Sequence, residues 1–401
     1  MTQTALHGSG DWRDQKILVL GGGFAGVAAA IRLRKKGYRN VHLMSDRDYF
    51  YLYPISIWIP VGKRSFEDVC LFLETLARKH GFHYHKRKVE RIDAAAGQVH
   101  FTDGAEDYDQ LIVAVGGKRL QPKGHEHILS ICGNPDQSLK IKDALDEMVA
   151  GSGGRIAIGF GGNPNDKSAV RGGPAFELAF NLDTWLKKRK VRSKFELSFF
   201  APMPVPGARM GDKPASKLPG LMQRHNISYY KGKKIIQFSA EGVHFEDNSL
   251  LGADLILFIP AGQGSPVFQN SDLPLNAAGF VVTNEFCEVE GFDNVYAVGD
   301  SAALLGPDWK AKQGHLAEVM ADHAVDNLDA KLKGRSERKS YVRHINILCI
   351  MDTGRSAAFV YRTAKKQWMI PMPLIGHWIK QAWGFYYRNS RLKRLPKIPG
   401  M

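Results

Sequence analysis

Cysteine is scarce in this sequence. Its 401 residues include four cysteines, which are Cys70, Cys132, Cys287 and Cys349. They are too few for a disulfide scaffold, and none belongs to the close Cys-x-x-Cys pair of a zinc site. We therefore expect a reducing compartment and no metal. The apolar run around Cys70 predicts a core thiol in a helix, whereas the charged neighbours of Cys287 predict a half-exposed thiol in a strand.

Long hydrophobic runs are also missing. No segment approaches the ~18 to 20 uninterrupted apolar residues of a membrane-spanning helix. The first twenty residues lack a basic stretch followed by an apolar one, so they predict no secretory signal. Hydrophobic residues make up 44% and charged residues 24% of the chain, which is typical of a folded globular protein. The length predicts two or three lobes of roughly 100 to 200 residues each.

Acidic residues are nearly absent from the end of the chain. Residues 331–401 contain 16 Lys or Arg and only 2 Asp or Glu, so they carry +14 of the net charge of +15. Basic residues mixed with aromatic ones indicate an anionic membrane surface or nucleic acid as partner. We favour the membrane and expect no nucleic acid, because nucleic acid would not require the apolar run 373–387 beside the cations. Those cations are Arg388, Arg391, Lys393, Arg394 and Lys397.

A glycine-rich turn lies near the start of the chain. Residues 16–21 predict a buried parallel strand, residues 27–36 a helix, and residues 41–44 a second strand. In a G-x-G-x-x-G turn, the first glycine allows the tight turn, the second admits a pyrophosphate and the third lets the helix pack closely. This context predicts a dinucleotide site, and the alternative is a tight turn of another α/β fold. The turn contains Gly21, Gly23, Phe24, Ala25 and Gly26.

Other positions fit the same site. The second strand of such a site usually ends in an acid that binds ribose, and here Ser45 takes that position with Asp46 directly after it. Two further apolar strands run into Gly116 and into Gly299 and Asp300. An aspartate just past such a strand points into the crevice where ligands bind, although a surface-turn aspartate would fit the pattern too.

Together these motifs resemble the flavoproteins with two dinucleotide-binding domains, and within them the sulfide:quinone oxidoreductases. The likeness spans residues 16 to about 390. It rests on four segments, which are residues 45–54, 173–177, 312–314 and 349–359. The flavocytochrome c sulfide dehydrogenase flavoprotein and the type II NADH dehydrogenases are related to that family.

The resemblance implies an α/β fold and a cofactor. It implies two Rossmann-like domains, the second inserted in the first, with noncovalent FAD in the first. The FAD domain is expected at residues 14–120 and 245–330, the second at 121–244, and a C-terminal flavin-covering and membrane-binding lobe at 331–401. The resemblance also implies a peripheral, monotopic protein of the cytoplasmic membrane that passes electrons from sulfide to membrane quinone. A homo-oligomer is left open.

The same resemblance assigns catalytic and quinone-binding residues. Cys349 is the candidate thiol that takes up sulfide sulfur as a persulfide. The family's second redox cysteine is missing, since residues 168–171 contain none, and Cys132, which matches a third family cysteine, is the candidate partner. Glu177 is expected to relay protons, and Lys312 to stabilise negative charge on reduced flavin. The alternatives are structural thiols and solvated charges. The expected quinone contacts are Trp383, Phe385, Tyr386 and Phe359.

The second nucleotide site is predicted to lack an NADH loop. Such a loop joins a strand directly to a helix, and here the polar residues 160–171 intervene between a strand at 155–159 and a helix near residue 172. Sulfide oxidation coupled to quinone reduction is therefore the favoured function. The alternatives are a type II NADH:quinone oxidoreductase with a variant loop and a noncatalytic flavin-bound adaptor.

Overall fold

The computed structural model describes residues 11–396, so Lys397, one of the predicted tail cations, lies outside the described residues. The predicted helix after the glycine turn begins at Phe24, three residues earlier than expected. The α-helices of the described range are α1 (Phe24–Lys36), α2 (Tyr53–Ser56), α3 (Leu73–His80), α4 (Gln137–Ala150), α5 (Gly173–Lys188), α6 (Asp212–Arg224), α7 (Pro266–Gln269), α8 (Gly314–Leu332) and α9 (Ile375–Arg391).

The first sheet is parallel and carries the glycine turn. The chain leaves its central strand, turns through the glycines and enters α1, which packs against the sheet and against α8. The central strand is buried along its whole length, as expected for a parallel sheet covered on both faces. The predicted α/β fold is confirmed. In spatial order, the strands are Val295–Ala297, Gln110–Val113, Ile17–Leu20, Val41–Ser45 and His83–Lys86.

The second sheet is also parallel and precedes α5. Residue 244 was predicted to end the second domain, yet the strand Leu255–Ile259 pairs with Gly154–Phe160 inside this sheet. The apolar sequence of Leu255–Ile259 identifies a buried strand without indicating which of two buried sheets it joins. In spatial order, the strands are Ile128–Leu129, Leu255–Ile259, Gly154–Phe160, Phe195–Ala201 and Ile227–Lys231.

Smaller antiparallel sheets accompany the two parallel ones. Two-stranded sheets pair Tyr49–Tyr51 with Cys70–Phe72 and Gly117–Arg119 with Gly262–Gly264. Two three-stranded sheets contain Val89–Asp93, Gln98–Phe101 and Gly104–Asp107, and Ile235–Ser239, Gly242–Phe245 and Leu250–Gly252. The third, which packs against α5 and α9, contains Ile347–Asp352, Ala357–Arg362 and Gln367–Met372.

Two cysteines differ from their predictions. Cys70 is buried as expected, but it begins a strand rather than lying in a helix, because that segment pairs with Tyr49–Tyr51. Cys287 is 0% exposed and lies in a bend with a φ of +68°, so it is not a half-exposed strand residue. Its thiol contacts the carbonyl oxygen of Met320 in α8 at 3.7 Å, so tertiary packing overrides its charged neighbours. No helix of the described residues is long and apolar enough to cross a membrane.

Candidate functional site

The glycine turn leaves space at the N-terminus of α1. An ideal Cβ on Gly21 would lie 2.2 Å from the carbonyl oxygen of Ala114, and one on Gly26 would lie 1.8 Å from that of Gly21. A Cβ on Gly23, by contrast, would meet nothing within 4 Å. Packing therefore requires the first and third glycines, while the second borders open space. This arrangement fits a dinucleotide whose pyrophosphate approaches Gly23.

Two more glycines lie at the C-terminal edge of the first sheet. Gly299 has a φ of +64°, and a Cβ there would lie 3.0 Å from the Cβ of Ala25 in α1. Gly116 has a φ of +77° and borders open space, and its N–H donates a 2.9 Å hydrogen bond to Ser301 Oγ. The structure therefore brings the two predicted strand ends to the glycine turn, with Asp300 directly after Gly299.

Ser45 and Asp46 face different surroundings. Ser45 is buried, and its hydroxyl oxygen would lie 2.8 Å from a Cβ on Gly22, so it borders the glycine turn. It also accepts a 3.2 Å hydrogen bond from the backbone N–H of Arg47. The side chain of Asp46 is 64% exposed and lies 3.9 Å from the Arg47 guanidinium. Of the two predicted ribose contacts, only Ser45 is buried beside the turn.

Asp300 and Lys312 lie together, and Arg171 joins them. The Arg171 guanidinium forms an ion pair with the Asp300 carboxylate. The Lys312 ammonium donates to the carbonyl oxygens of Asp300, at 3.3 Å, and of Ala302. Burial lowers the pKa of Lys312 to about 8, and the charge of Asp300 opposes that shift. Sequence reasoning missed Arg171, although it stands in the segment where the resemblance expects a cysteine.

The Cys349 thiol lies near a buried ion pair. Cys349 is half-buried in the strand that ends at Asp352, and α5 supplies Glu177. Glu177 accepts a 2.7 Å hydrogen bond from Lys380 on each carboxylate oxygen and a 3.1 Å one from the N–H of Asp352. Burial raises the pKa of Cys349 to about 12, with a further increase from Glu177 and a decrease from Lys380. The pKa of Glu177 is also raised, because burial outweighs the attraction of Lys380. The thiol is therefore protonated at neutral pH, and the carboxyl group of Glu177 is close enough to act on it electrostatically.

A second buried carboxylate, that of Asp352, connects α9 to the region around Cys349 and Glu177. Asp352 accepts a 2.7 Å hydrogen bond from the indole N–H of Trp58 and forms a 2.8 Å contact with Nδ1 of His377. Sequence reasoning missed Asp352, His377 and Lys380. A signal for Lys380 was present, since it is the only Lys, Arg, Asp or Glu in the apolar run 373–387. A lone charge in such a run needs a partner if the run is buried.

Cys132 is a second thiol with charged neighbours. It is 6% exposed, and its carbonyl oxygen accepts a 3.1 Å hydrogen bond from Nε of Arg119. Burial raises the pKa of Cys132, while the positive charges of Arg119 and Arg171 lower it. The charge of Glu177 acts on both Cys132 and Cys349, which are free thiols. The two candidate sulfur carriers thus share one carboxylate neighbour and are not joined in a disulfide.

The four predicted quinone contacts separate into two groups. Trp383 and Tyr386 line a cavity of about 450 Å³ between α9 and the C-terminal parts of α1 and α3. Phe385, which is 64% exposed, and Phe359, which lies in the middle strand of the C-terminal sheet, do not line it. The structure therefore brings Trp383 and Tyr386 to one cavity and leaves the other two outside it.

Comparison with known proteins identifies the family. Residues 15–324 match the family model of the pyridine nucleotide-disulphide oxidoreductases. The sulfide-quinone reductase of Aquifex aeolicus is 27% identical over 398 residues, which cover 92% of this chain and 90% of that protein. The X-ray structure of the Aquifex aeolicus sulfide:quinone oxidoreductase matches with a TM-score of 0.85 at 25% identity, covering 95% of this chain and 92% of that one. The resemblance predicted from the motifs is confirmed.

NADH-linked enzymes are also similar to this chain. A type II NADH:quinone oxidoreductase of Staphylococcus saprophyticus is 21% identical over 372 residues, which cover 86% of this chain and 90% of that protein. The structure of NDH2 from Plasmodium falciparum in complex with NADH matches with a TM-score of 0.72 at 13% identity, covering 96% of this chain and 100% of that one, a likeness of fold alone. The chain therefore belongs to the pyridine nucleotide-disulphide oxidoreductase family and is an FAD-binding oxidoreductase.

Proposed function

We propose that this enzyme oxidises sulfide at Cys349 and passes the electrons through FAD to a membrane quinone. The observation that carries the proposal is the half-buried Cys349 thiol near the Glu177–Lys380 ion pair. The likeness to the Aquifex aeolicus sulfide-quinone reductase, which covers 92% of this chain, supports the same two substrates.

The sulfur chemistry joins two sulfur atoms. Formation of an S–S bond between the Cys349 thiol and a hydrosulfide ion gives a cysteine persulfide anion, two protons and two electrons. FAD, when bound, supplies the two-electron chemistry that links this oxidation to quinone reduction. Because the pKa of Cys349 is raised to about 12, its proton must pass to a base, and Glu177 is the carboxylate within range. Lys380 orients that carboxylate through both of its oxygens.

The FAD-binding residues follow from the geometry of the glycine turn. Gly23 and the N-terminus of α1 would hold the pyrophosphate, and the Ser45 hydroxyl the adenosine ribose. Asp300 would bind the cofactor at the sheet edge. Lys312 would stabilise negative charge on the reduced cofactor, because its ammonium and the N-terminus of α8 are both positive.

The segment before α5 supports sulfide rather than NADH as the electron donor. It does not run directly from strand to helix, and it is held by hydrogen bonds within itself and to two other segments. Asn163 donates to the carbonyl oxygen of Gly262 at 2.8 Å, and Asp166 accepts from the backbone N–H of Ser168 at 2.8 Å. The N–H of Lys312 donates to the carbonyl oxygen of Ser168 at 3.1 Å. This long connection differs from the direct strand-to-helix turn that brings helix N–H groups onto the pyrophosphate of a nicotinamide dinucleotide.

The outer face of the C-terminal lobe supports attachment to one leaflet of an anionic membrane. Leu374, Ile375, Trp378 and Phe385 are between 61% and 79% exposed. Such side chains enter the acyl boundary while neighbouring cations, each worth ~1 kcal/mol near an anionic surface, stay among the headgroups.

The cavity beside that face offers a route for quinone. It is lined by Trp383, Tyr386 and Tyr387. The ring of Tyr387 lies 5.2 Å from that of Trp383 and 5.8 Å from that of Phe24 in the glycine turn. The contact between Tyr387 and Phe24 thus connects the cavity to the FAD-binding turn, so a quinone that enters from the bilayer can approach the cofactor from this side.

Anaerobic spectrophotometry of the purified holoenzyme tests the function. We expect sulfide to bleach the flavin absorbance far faster than NADH does, and added quinone to restore it. Fast bleaching by NADH and none by sulfide would instead assign the enzyme to NADH:quinone oxidoreduction. Bleaching by neither donor would favour the noncatalytic adaptor.

A further inference from the structure

The charges around Cys132 do not balance. The carboxylates of Asp300 and Glu177 are close enough to Cys132 to act electrostatically on its thiol. Asp300 is paired with Arg171, and Glu177 with Lys380. Arg119, the remaining charged neighbour, donates its Nε to the carbonyl oxygen of Cys132 and forms no ion pair with any residue in the range 11–396.

Arg119 has one cation and one anion near it, Arg171 and Asp300, and those two are already paired with each other. Burial lowers the pKa of Arg119 and the like charge of Arg171 lowers it further, whereas the charge of Asp300 raises it. One carboxylate does not neutralise two guanidinium groups, and a buried charge that is not neutralised is unfavourable. The short strand that ends at Arg119 pairs with Gly262–Gly264, and a Cβ on Gly262 would lie 3.6 Å from Nη1 of Arg119. Gly262 therefore lies directly beside the guanidinium.

We propose that Arg119 and Arg171 form an anion site beside Cys132 that binds the sulfur substrate as a small anion, either hydrosulfide or another low-molecular-weight sulfur anion. The proposal rests on the proposed function and names the form in which its substrate enters. Guanidinium groups suit this task because they are always charged, weakly hydrated and rich in N–H donors. Lys312, the other cation here without an ion pair in the described chain, is assigned to the cofactor, so Arg119 remains for the substrate.

Thiocyanate is the probe for this site, because it is a small sulfur-containing monoanion and does not reduce flavin. Isothermal titration of the oxidised holoenzyme at constant ionic strength gives its affinity. We expect Arg119→Gln and Arg171→Gln each to weaken thiocyanate binding about tenfold or more, because each variant loses a charge-assisted hydrogen bond. Arg119→Lys, which keeps the charge, should bind thiocyanate more tightly than Arg119→Gln does.

The matched control is Arg155→Gln, because the Arg155 guanidinium pairs with Asp254 at 2.7 Å on the surface of the second sheet. This variant should bind thiocyanate as the wild type does. Thiocyanate should also compete with sulfide in turnover, and Arg119→Gln should raise the KM for sulfide more than it lowers kcat. If Arg171→Gln loses FAD, the Arg119 variants alone still decide the outcome.

Two results would overturn the site. One is equal thiocyanate affinity in the wild type and both glutamine variants. The other is a lower flavin midpoint potential in Arg119→Gln with unchanged thiocyanate affinity, which would assign the charge to the cofactor. The site and the proposed function fail separately. If thiocyanate binding depends on both arginines but sulfide does not reduce the flavin, the site would be supported and sulfide would be rejected as the substrate.

Discussion

The Lys380 ammonium donates a 2.7 Å hydrogen bond to each carboxylate oxygen of Glu177. Both side chains are buried, with 7% and 5% of their surface exposed. The pair joins the inner face of α9 to α5 within range of the Cys349 thiol. One contact therefore serves two roles, since it holds the C-terminal helix against the body of the protein and orients the proposed base.

Removing Lys380 tests the structural role of this pair. Lys380→Met leaves the Glu177 carboxylate buried without a counter-charge, and we expect a loss of ~3 to 5 kcal/mol in the free energy of unfolding. Adding Glu177→Gln should recover most of that loss, because the amide needs no counter-charge. Urea unfolding at a fixed FAD concentration measures both variants. A double variant no more stable than Lys380→Met would show that the pair is not the cause.

Removing the Cys349 thiol tests its role in the sulfur chemistry. Cys349→Ser should keep FAD and lose sulfide-dependent quinone reduction by more than ~10³-fold, because a hydroxyl does not accept sulfur as a thiol does. Cys132→Ser should weaken the activity if that thiol has replaced the missing second cysteine. The buried Cys287 is the control, and Cys287→Ala should leave sulfide turnover intact. Undiminished turnover in Cys349→Ser would make that thiol structural.

Local sequence patterns predicted the helices and strands well, but they did not predict which residues contact each other across the fold. The strands predicted at residues 16–21 and 41–44 are found at Ile17–Leu20 and Val41–Ser45, because a short apolar run marks a buried strand locally. The Glu177–Lys380 pair joins residues 203 positions apart, and no local pattern specifies such a contact. Arg171 likewise reaches Asp300 only through the tertiary fold. The sequence could therefore nominate Glu177 and Asp300 but not the cations that neutralise them.

The space in front of Gly23 gives a direct test of FAD binding. Gly23→Val should purify without FAD, because the new side chain would fill the space left for the pyrophosphate. Gly220 in α6 is the matched control, since a Cβ there also meets nothing within 4 Å but the residue lies far along the chain from the glycine turn. The flavin-to-protein absorbance ratio measures both variants. Stoichiometric FAD in Gly23→Val would reject the assigned pyrophosphate position.

The lowered pKa of Lys312 predicts how flavin reduction depends on pH. Its ammonium is charged below about 8 and loses its proton as the pH rises through that value. If this charge stabilises the reduced flavin, the rate of flavin reduction at saturating sulfide should fall above about pH 8. Lys312→Met should be slower below pH 8 and should lack this decrease. Stopped-flow measurements across the pH range compare the two enzymes, and a decrease of equal size in Lys312→Met would assign it to another group.

The exposed face of α9 gives the last prediction, which concerns the membrane. Trp378 and Phe385 are 68% and 64% exposed, so replacing both with glutamate removes few internal contacts and should leave folding and FAD binding intact. On an anionic membrane, however, the new carboxylates would have to enter the acyl boundary, which is strongly unfavourable. We expect the double variant to stay in the supernatant when anionic liposomes are sedimented, and to lose activity with long-chain quinone more than flavin reduction by sulfide.

Ile236→Glu is the matched control, because Ile236 is 50% exposed outside the C-terminal lobe and its replacement should not affect sedimentation. Deletion of residues 373–401 should also release the protein, but it exposes Glu177 as well, so the point variants decide. Sedimentation of the Trp378 and Phe385 double variant with the liposomes would reject α9 as the membrane anchor.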